Sequence, residues 1–289
     1  MEGQRRTTLP NHVITNAMIY VPQAAVGELA DYAEEHRETL EAAKDITKKG
    51  DVKASALPKA AVDAILRSRN DVVNLFGRML AEIDRAGVDG AVQVAHAMTT
   101  HEADADLDYF TAVDDLTSTW QDASGSAHMG HTEFSAGTFY RYATIDLDEL
   151  TRNLAGTDSD VHEVLTGFLT AFTLAVPQAK KNSTAPHTLP HLVHFAVRGD
   201  RPVSFAAAFE QPVRPGSHGG NGAPAVTALA QYAAAAGSFL GNSHLISSSW
   251  TSPELKDLPD TLGQHFDGLE ALIADAVSHV GSTGSEDAA

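Results

Sequence analysis

Two strand-like stretches, GAVQVAHAM at residues 90–98 and TFYRYATID at residues 138–146, determine which fold class the sequence predicts. The second stretch is rich in aromatic and β-branched residues, which fit the pleated surface of a sheet. Between the two lies a polar segment, residues 101–136, which is too long for a hairpin turn. Segments of this length in compact domains are usually functional or disordered. We therefore expect this excursion either to carry a function or to lack fixed structure.

Apolar residues at helical spacing predict helices on both sides of these strands. The predicted helices cover about 23–46, 58–80, 161–176, 224–238 and 258–280. A further strand is predicted at 191–197, with 203–209 as its antiparallel neighbour across a turn at 198–200. Because the strands do not alternate regularly with helices, the pattern predicts an α+β fold and not a series of βαβ units.

The chain of 289 residues is strongly acidic, with a formal net charge of −18 and a sequence pI near 5.0. Such a charge repels phosphates, so taken whole it argues against a stand-alone nucleic-acid binder. The charge is unevenly distributed, however. Residues 101–150 carry one basic and eleven acidic side chains, and residues 251–289 carry one basic and eight acidic. The net charge of the whole chain therefore describes no single face of the protein.

Several classes of site have no support in the sequence. Cysteine is absent, which excludes disulfides, thiolate zinc sites and a cysteine nucleophile. No glycine-rich phosphate-binding motif follows a strand, so nucleotide binding is not indicated. The basic start of the chain is not followed by an apolar core, and no run approaches the ~18 apolar residues of a membrane span. We expect a cytoplasmic protein with no membrane partner.

Histidines and acidic residues form two groups that resemble metal sites. Their members are His128, His131 and Glu133 in one group and His187, His191 and His194 in the other. Neither spacing matches a catalytic zinc signature, and the acidic loop at 101–108 lacks the central glycine and final glutamate of a calcium loop. We predict no metal and no cofactor. A metal-dependent nuclease that uses Asp104, Asp106 and the histidines of the first group stays open as an alternative function.

Basic and aromatic side chains suggest a different ligand. The basic residues near predicted helices and strands are Arg67, Arg69, Arg78, Arg85, Lys180, Lys181, Arg198, Arg201 and Arg214. Tyr109 and Phe110 are adjacent within the polar excursion, where aromatic rings can stack on bases or wedge between them. Each residue alone is more typical of a surface ion pair or a core position. Together they make nucleic-acid binding a hypothesis.

A set of longer stretches makes this hypothesis specific. They are VDGA at 88–91, AHAMTTH at 95–101, DLDYFTAVDDL at 106–116, GSAHMG at 125–130, EFSAG at 133–137 and FYRY at 139–142. Together they closely resemble the backbone subunit of the type I-E CRISPR effector complex, Cascade (the CasC family). Fainter similarity extends to GRM at 77–79, AKKNS at 179–183 and AFE at 208–210. The match is dense over about 88–155, which makes it far more specific than a short motif.

The resemblance implies a right-hand-shaped α+β fold with an RRM-like (ferredoxin-like) palm, helical fingers and a β-hairpin thumb. Carried onto this chain, the segments are 1–87 (helical fingers), 88–100 (palm strand), 101–136 (thumb-like excursion), 137–280 (palm and C-terminal helices) and 281–289 (disordered tail). Family members open with a palm strand and a basic, RNA-gripping segment with a Ser-Ser-Gln-x-x-Lys-Arg-like run. Met1 begins downstream of that region, so the resemblance implies a palm that is incomplete at its N-terminus.

The resemblance also implies a function. Members of the family bind CRISPR RNA, associate with further copies of themselves along this guide and with other Cascade subunits, and leave the guide free to pair with target DNA. It implies no catalytic residues. Phe110 matches the thumb aromatic at the displaced base, and Met79, which follows Arg78, matches the apolar residue on the other side of that kink. Arg214 falls near a basic loop position that contacts phosphate. A non-functional truncated fragment is the second alternative.

Overall fold

The structure, a computed structural model, describes residues 19–42, 57–80, 83, 85–112, 128–256, 258 and 260–280. It has the predicted mixed α+β composition, with short antiparallel ladders and helices. The chain divides into two compact units, which are Met1–Gln93 with Ile145–Val161, and Val94–Thr144 with His162–Ala289. The segments implied by the resemblance follow a different division and stay a prediction. The predicted tail at 281–289 and the middle of the excursion at 113–127 lie outside the described residues.

The helices and strands of the described residues are short. The helices are α1 (Gln23–Glu35), α2 (Arg37–Ala42), α3 (Lys59–Leu66), α4 (Asp71–Phe76), α5 (Leu147–Leu154), α6 (Val161–Leu174), α7 (Lys181–Thr184), α8 (Gly222–Leu240) and α9 (Leu269–Ser278). The strands are β1 (Val92–Val94), β2 (Met98–Thr99), β3 (Asp106–Ala112), β4 (His128–Phe134), β5 (Phe139–Tyr140), β6 (Ala143–Ile145), β7 (Val193–Arg198), β8 (Leu245–Thr251) and β9 (Gln264–His265). None of the described helices is long and apolar enough to cross a membrane.

Each of the two stretches that determined the fold class contains two strands instead of one. Residues 90–98 hold β1 and the start of β2, and residues 138–146 hold β5 and β6. The two stretches pair with each other, because β1 lies beside β6 and β2 runs antiparallel to β5. The register of the second pair places Met98 opposite Tyr140. This pairing closes the base of the excursion, which is built from β3 and β4.

The predicted single helix at 58–80 is wrong, because the first unit contains two short helices there. The α4 helix begins with its own cap, in which Asn70 Oδ1 accepts a hydrogen bond from the Val73 backbone N–H at 3.0 Å. It ends at Gly77, whose φ of +77° favours glycine. The apolar spacing of the sequence continues across Asn70 and Gly77, so it does not reveal where α4 begins and ends. The buried Asn153 of α5 then donates from Nδ2 to the backbone oxygens of Asn74 and Asp89.

In the second unit the predicted strand partner of β7 is also wrong. The antiparallel neighbour of β7 is β8, with Val193 opposite Thr251, and Ala206–Phe209 form a 3-10 turn. The sequence of β8, LISSSWT, has too many serines to be recognised by apolar alternation.

Among the described residues of the predicted helix at 258–280, only α9 is α-helical, and Asp260–Leu262 form a 3-10 turn. The α9 helix is preceded by β9, which runs parallel to β8. Gly263, with φ of +80°, leads into β9, and a Cβ there would lie 1.8 Å from the Ser248 backbone oxygen. The buried core beside these strands contains Trp250, Leu262, Ala230 and Ala233.

Candidate nucleic-acid interface

The β3–β4 ladder is regular over seven residue pairs, and it exposes apolar side chains on both faces. One face carries Phe110 and Phe134, which are 45% and 53% exposed. The other face carries Leu107, Tyr109 and Met129, which are 51%, 70% and 72% exposed. A soluble surface seldom groups so many large apolar side chains unless they contact a partner. The ladder is therefore a candidate binding surface.

Phe110 is held by its cross-strand partner. The register places Phe110 opposite Gly130. A Cβ at Gly130 would lie 2.7 Å from Phe110 Cζ, so the aromatic ring covers the glycine backbone directly. An aromatic side chain over a cross-strand glycine stabilises that position in a sheet and fixes the ring. One face of the ring is thereby occupied by the ladder, while almost half of the residue remains exposed.

Hydrogen bonds between residues that precede β3 and a residue that follows β4 close the base of the ladder. The Thr138 backbone oxygen accepts from the Thr100 N–H at 2.9 Å and from Thr100 Oγ1 at 3.2 Å. The Thr138 N–H donates to His101 Nε2 at 3.0 Å, while His101 Nδ1 lies 2.6 Å from the Glu102 backbone oxygen. With Nε2 as the acceptor, Nδ1 is the ring nitrogen that faces the Glu102 oxygen as a donor. These contacts fix where the ladder leaves the rest of the unit.

Arg214 lies beside this base. The N–H of Val213 donates to the Thr100 backbone oxygen at 2.9 Å, so the loop that carries Arg214 is attached to the strand that begins the excursion. Arg214 itself is exposed. The structure therefore brings Arg214 and the β3–β4 ladder of Phe110 into one unit, with Thr100 as the residue that both share.

Met79 and Arg78 belong to the other unit, and they differ sharply in exposure. Met79 is 86% exposed, while Arg78 is only 5% exposed. Arg78 and Val88 exchange two backbone hydrogen bonds of 2.8 and 2.9 Å. Gly77 makes this bridge possible, because a Cβ there would meet Val88 O and Gly90 N at 2.7 Å. The bridge fixes the backbone on which Met79 points to solvent.

The Arg78 guanidinium donates hydrogen bonds to backbone carbonyls. Its Nε donates to Ala86 O at 3.0 Å, Nη1 to Ser68 O at 2.9 Å and to Tyr20 O at 3.4 Å, and Nη2 to Arg67 O at 3.2 Å. Burial, and then the charge of Arg69, lower the pKa of Arg78 from its usual value. This geometry suits a residue that shapes the loop around Met79. The prediction that Arg78 itself contacts RNA stays a prediction.

Three other basic residues singled out in the sequence, Arg198, Lys180 and Lys181, lie in different settings. Arg198 makes a two-pronged ion pair with Asp200, from Nε to Oδ1 at 2.8 Å and from Nη2 to Oδ2 at 3.0 Å, and this pair holds the pKa of Asp200 well below its usual range. Lys180 has a left-handed backbone, with φ of +53°, and its carbonyl accepts from the N–H and hydroxyl groups of Ser183 and Thr184. Both Lys180 and Lys181 are exposed.

The histidines occupy three different environments. His131 lies across the ladder from Tyr109, with ring centroids 6.1 Å apart. His191 Nδ1 lies 3.6 Å from a carboxylate oxygen of Glu254. Burial lowers the pKa of His194 to about 4, and its Nε2 lies 2.9 Å from Ser248 Oγ. Among the described residues, no three or more histidine, aspartate and glutamate side chains form a group that could hold a metal ion.

The architecture can be compared with known proteins. The family model for CT1975-like proteins matches residues 4–277. The chain belongs to the CT1975-like family. A chain from a structure described as a CRISPR RNA-guided surveillance complex, pre-nicking, is 41% identical to this CT1975-like protein. The TM-score is 0.79, and the match covers 92% of this chain and 70% of that chain.

A second solved chain gives a similar result. It comes from a structure described as a CRISPR RNA-guided surveillance complex and is 42% identical, with a TM-score of 0.63. The match covers 72% of the CT1975-like protein and 78% of that chain. No curated protein matches the sequence. The stretches between 88 and 142 predicted a similarity to CRISPR effector subunits. At the level of family and fold, the matches extend this similarity over nearly the whole chain.

Sequence reasoning on this CT1975-like protein missed the residues that hold Phe110 and the ladder in place. These are Gly130, His101 and Thr138. A signal for the first did exist, since a glycine in a strand often marks a close approach by another group. The two residues at the base carried no such signal, because their contact joins positions 37 residues apart.

Proposed function

We propose that this protein is the CRISPR RNA-binding backbone subunit of a type I-E Cascade complex, of the CasC family, and that it acts in the cytoplasm without catalysing a reaction. It holds the guide so that the bases can pair with target DNA. The observation that carries the proposal is the 41% identity, over 92% of the chain, to a subunit of a CRISPR RNA-guided surveillance complex. Sequence recognition is then left to base pairing.

The β3–β4 ladder supports the role of a thumb that displaces one base of the guide. Phe110 is pressed against Gly130, and the residue is 45% exposed. A ring fixed in this way can stack on an unstacked base without losing much side-chain freedom on binding. Met79, exposed on a bridged segment of the first unit, is the second apolar side chain that the resemblance assigns to a kink of the guide. Apolar side chains can replace base stacking at such a point.

The acidic character of the thumb fits contact with bases better than contact with phosphates. Asp106 and Asp108 lie on the same face of β3 as Phe110, because alternate residues of a strand share a face. Their carboxylates repel the RNA backbone while the ring attracts a base. The phosphates are then held elsewhere, by exposed cations such as Arg214. The chain can therefore carry a charge of −18 and still bind RNA.

The proposed partners are the CRISPR RNA, target DNA through the guide, other Cascade subunits and further copies of this chain along the guide. The short sheets around β2 and β5, from which the ladder projects, would belong to the RRM-like palm. The exposed second face of the ladder, with Leu107, Tyr109 and Met129, is consistent with assembly into a larger complex.

Co-expression with a CRISPR RNA and the other Cascade subunits tests the proposal. We expect the chain to purify with the guide in a complex that dissociates at high salt. A chain that emerges without RNA and without partner subunits would contradict it. The nuclease alternative is tested on the same preparation, by incubating RNA with Mg²⁺ or Mn²⁺. Cleavage that disappears in Asp104→Ala or Asp106→Ala would favour the nuclease.

A further inference from the structure

The sulfur atoms of this chain all belong to methionine, because the sequence has five methionines and no cysteine. Three of the methionines lie in the described residues, and they differ in exposure. Met79 and Met129 are 86% and 72% exposed, while Met98 is half-buried in the β2–β5 pair opposite Tyr140. Methionine is a common site of oxidation in proteins. Met79 and Met129 are therefore the described methionines that an oxidant in solution reaches most easily.

The outward position of Met79 is imposed by its neighbours in the chain. Arg78 and Leu80 are both buried, and successive side chains of an extended segment point to opposite sides. Arg78 is held inward by its hydrogen bonds to four carbonyls, and its backbone is paired with that of Val88. Turning Met79 inward would displace this buried arginine. The thioether of Met79 therefore stays in solvent unless a partner covers it.

Oxidation would reverse the apolar character of Met79. Hydrogen peroxide transfers one oxygen atom to the sulfur, so that the O–O bond breaks, an S–O bond forms and water is released. The sulfur loses two electrons, and the peroxide is reduced by two. The product, methionine sulfoxide, is polar, and methionine sulfoxide reductases convert it back to the thioether. An apolar side chain can take the place of a stacked base, whereas a polar sulfoxide loses hydration when it is buried there.

We propose that Met79 is a site of reversible oxidation by hydrogen peroxide, and that its oxidation blocks the loading of guide RNA onto the free chain. The second half rests on the proposed function, since it requires Met79 to contact a base of the guide. Met129 is oxidised as well, but it lies on the face of the β3–β4 ladder opposite to that of Phe110. The chain then takes up a guide only while Met79 is reduced.

The test treats the purified full-length chain with hydrogen peroxide, removes the peroxide with catalase, and then adds CRISPR RNA and the other Cascade subunits. Peptide mass spectrometry maps the oxidised residues, and guide loading is the RNA bound per chain after size-exclusion chromatography. The matched pair is Met129→Leu and the double variant Met129→Leu with Met79→Leu, which differ only at position 79. Each protein is compared with its own untreated sample, so that differences in basal loading cancel.

We expect the peptide that contains Met79 to be oxidised faster than the peptide that contains Met98. Peroxide should lower guide loading by Met129→Leu about tenfold, the size of one lost stacking contact, and should leave the double variant at its untreated level. Methionine sulfoxide reductases A and B, with dithiothreitol, should restore loading by the treated Met129→Leu chain. Because the chain has no cysteine, dithiothreitol reduces no disulfide in it.

The inference is overturned if Met79 is oxidised no faster than Met98, or if peroxide lowers loading equally in the two variants. Loading that the reductases do not restore would contradict a reversible site. An untreated wild-type chain that takes up no guide would refute the proposed function, and with it the effect of oxidation on loading. The peptide map would still decide whether Met79 is an oxidation site.

Discussion

The ring of Phe110 lies directly on the backbone of Gly130, its opposed partner in the β3–β4 ladder. A Cβ at position 130 would be 2.7 Å from Phe110 Cζ and 3.2 Å from both Cε atoms. Gly130 has none of the positive φ values that would demand glycine for backbone reasons. Glycine is needed there because the ring takes the space of a side chain. The orientation of Phe110 therefore depends on a residue in the other strand.

Gly130→Ala should displace the Phe110 ring with little cost to stability. The ring is the end of a flexible side chain, so we expect the free energy of unfolding to change by less than about 1 kcal/mol. Stacking of a base on an aromatic ring contributes about 1–3 kcal/mol, so retention of guide RNA should fall about tenfold. Thermal melts and guide-binding titrations of the purified complex measure the two effects.

Gly167→Ala is the matched control for this change. Gly167 lies inside α6 of the same unit, and a Cβ there meets no atom within 4 Å. The substitution should stabilise the helix by about 0.5–1 kcal/mol and leave guide retention unchanged. Equal guide retention in the Gly130 and Gly167 variants would show that the position of the Phe110 ring does not affect guide binding.

The two apolar side chains assigned to the kink can be removed separately. Phe110→Ala and Met79→Ala should each weaken guide retention by about 1–3 kcal/mol, because each removes a surface on which a base stacks or wedges. Tyr232→Ala is the comparison, since Tyr232 packs edge-on against Phe205. That variant should retain the guide. The assignment fails if all three variants retain it to the same extent.

Arg78→Met should destabilise the first unit strongly. It removes four hydrogen bonds to carbonyls around a residue that is 5% exposed, and unsatisfied buried carbonyls cost about 1–3 kcal/mol each. We expect a loss of about 3 kcal/mol or more in denaturant unfolding. Arg37→Met, which removes only exposed ion pairs, should change stability by less than about 1 kcal/mol. Similar unfolding midpoints for the Arg78 and Arg37 variants would show that the carbonyl contacts of Arg78 contribute little to stability.

Acidification should destabilise the second unit through His194. Ser248 Oγ donates to Leu262 O, so it is left to accept from His194 Nε2. Burial keeps the imidazole neutral. Its pKa is about 4, against 6.5 for an ordinary histidine. Between these values the unfolded chain binds more protons, so the stabilisation is complete above pH 6.5 and is lost as the pH falls toward 4. The loss is at most about 3 kcal/mol, since one pKa unit corresponds to about 1.4 kcal/mol.

Comparison of His194→Gln with wild type isolates this contribution. The variant has no imidazole to protonate, so its unfolding free energy should vary less between pH 6.5 and 4 than that of wild type. Urea titrations at several pH values provide the measurement. Parallel pH profiles for the two proteins would assign the acid sensitivity to other groups.

The features that could be predicted from the sequence are those that depend on residues close together in the chain. The strand content around β1, β2, β5 and β6, the α8 helix and the start of α6 follow from side-chain type and spacing. The α5 helix carried a local cap, with Asp146 Oδ1 accepting from the Glu149 N–H at 2.9 Å, and was still missed because it directly follows a strand. Boundaries were less predictable than element types.

The features that could not be predicted depend on long-range contacts. The serine-rich β8 is a strand because it pairs on both sides, with β7 and β9. Phe110 and Met79 were identified through family resemblance, but the reason that Phe110 is fixed appears only in the register with Gly130. Arg78 has the pattern of a surface cation in the sequence. In the structure it is buried, and its guanidinium donates to four carbonyls of residues that lie 8 to 58 positions away along the chain.

A role as guide-binding subunit is tested most directly by the amount of guide RNA bound per chain in a purified complex. The chain is co-expressed with a CRISPR RNA and the other Cascade subunits, and RNA and protein are quantified after size-exclusion chromatography. We expect a complex with several copies of the chain on one guide, and a marked loss of guide in Phe110→Ala. A folded wild-type chain that elutes alone, without RNA, would contradict it.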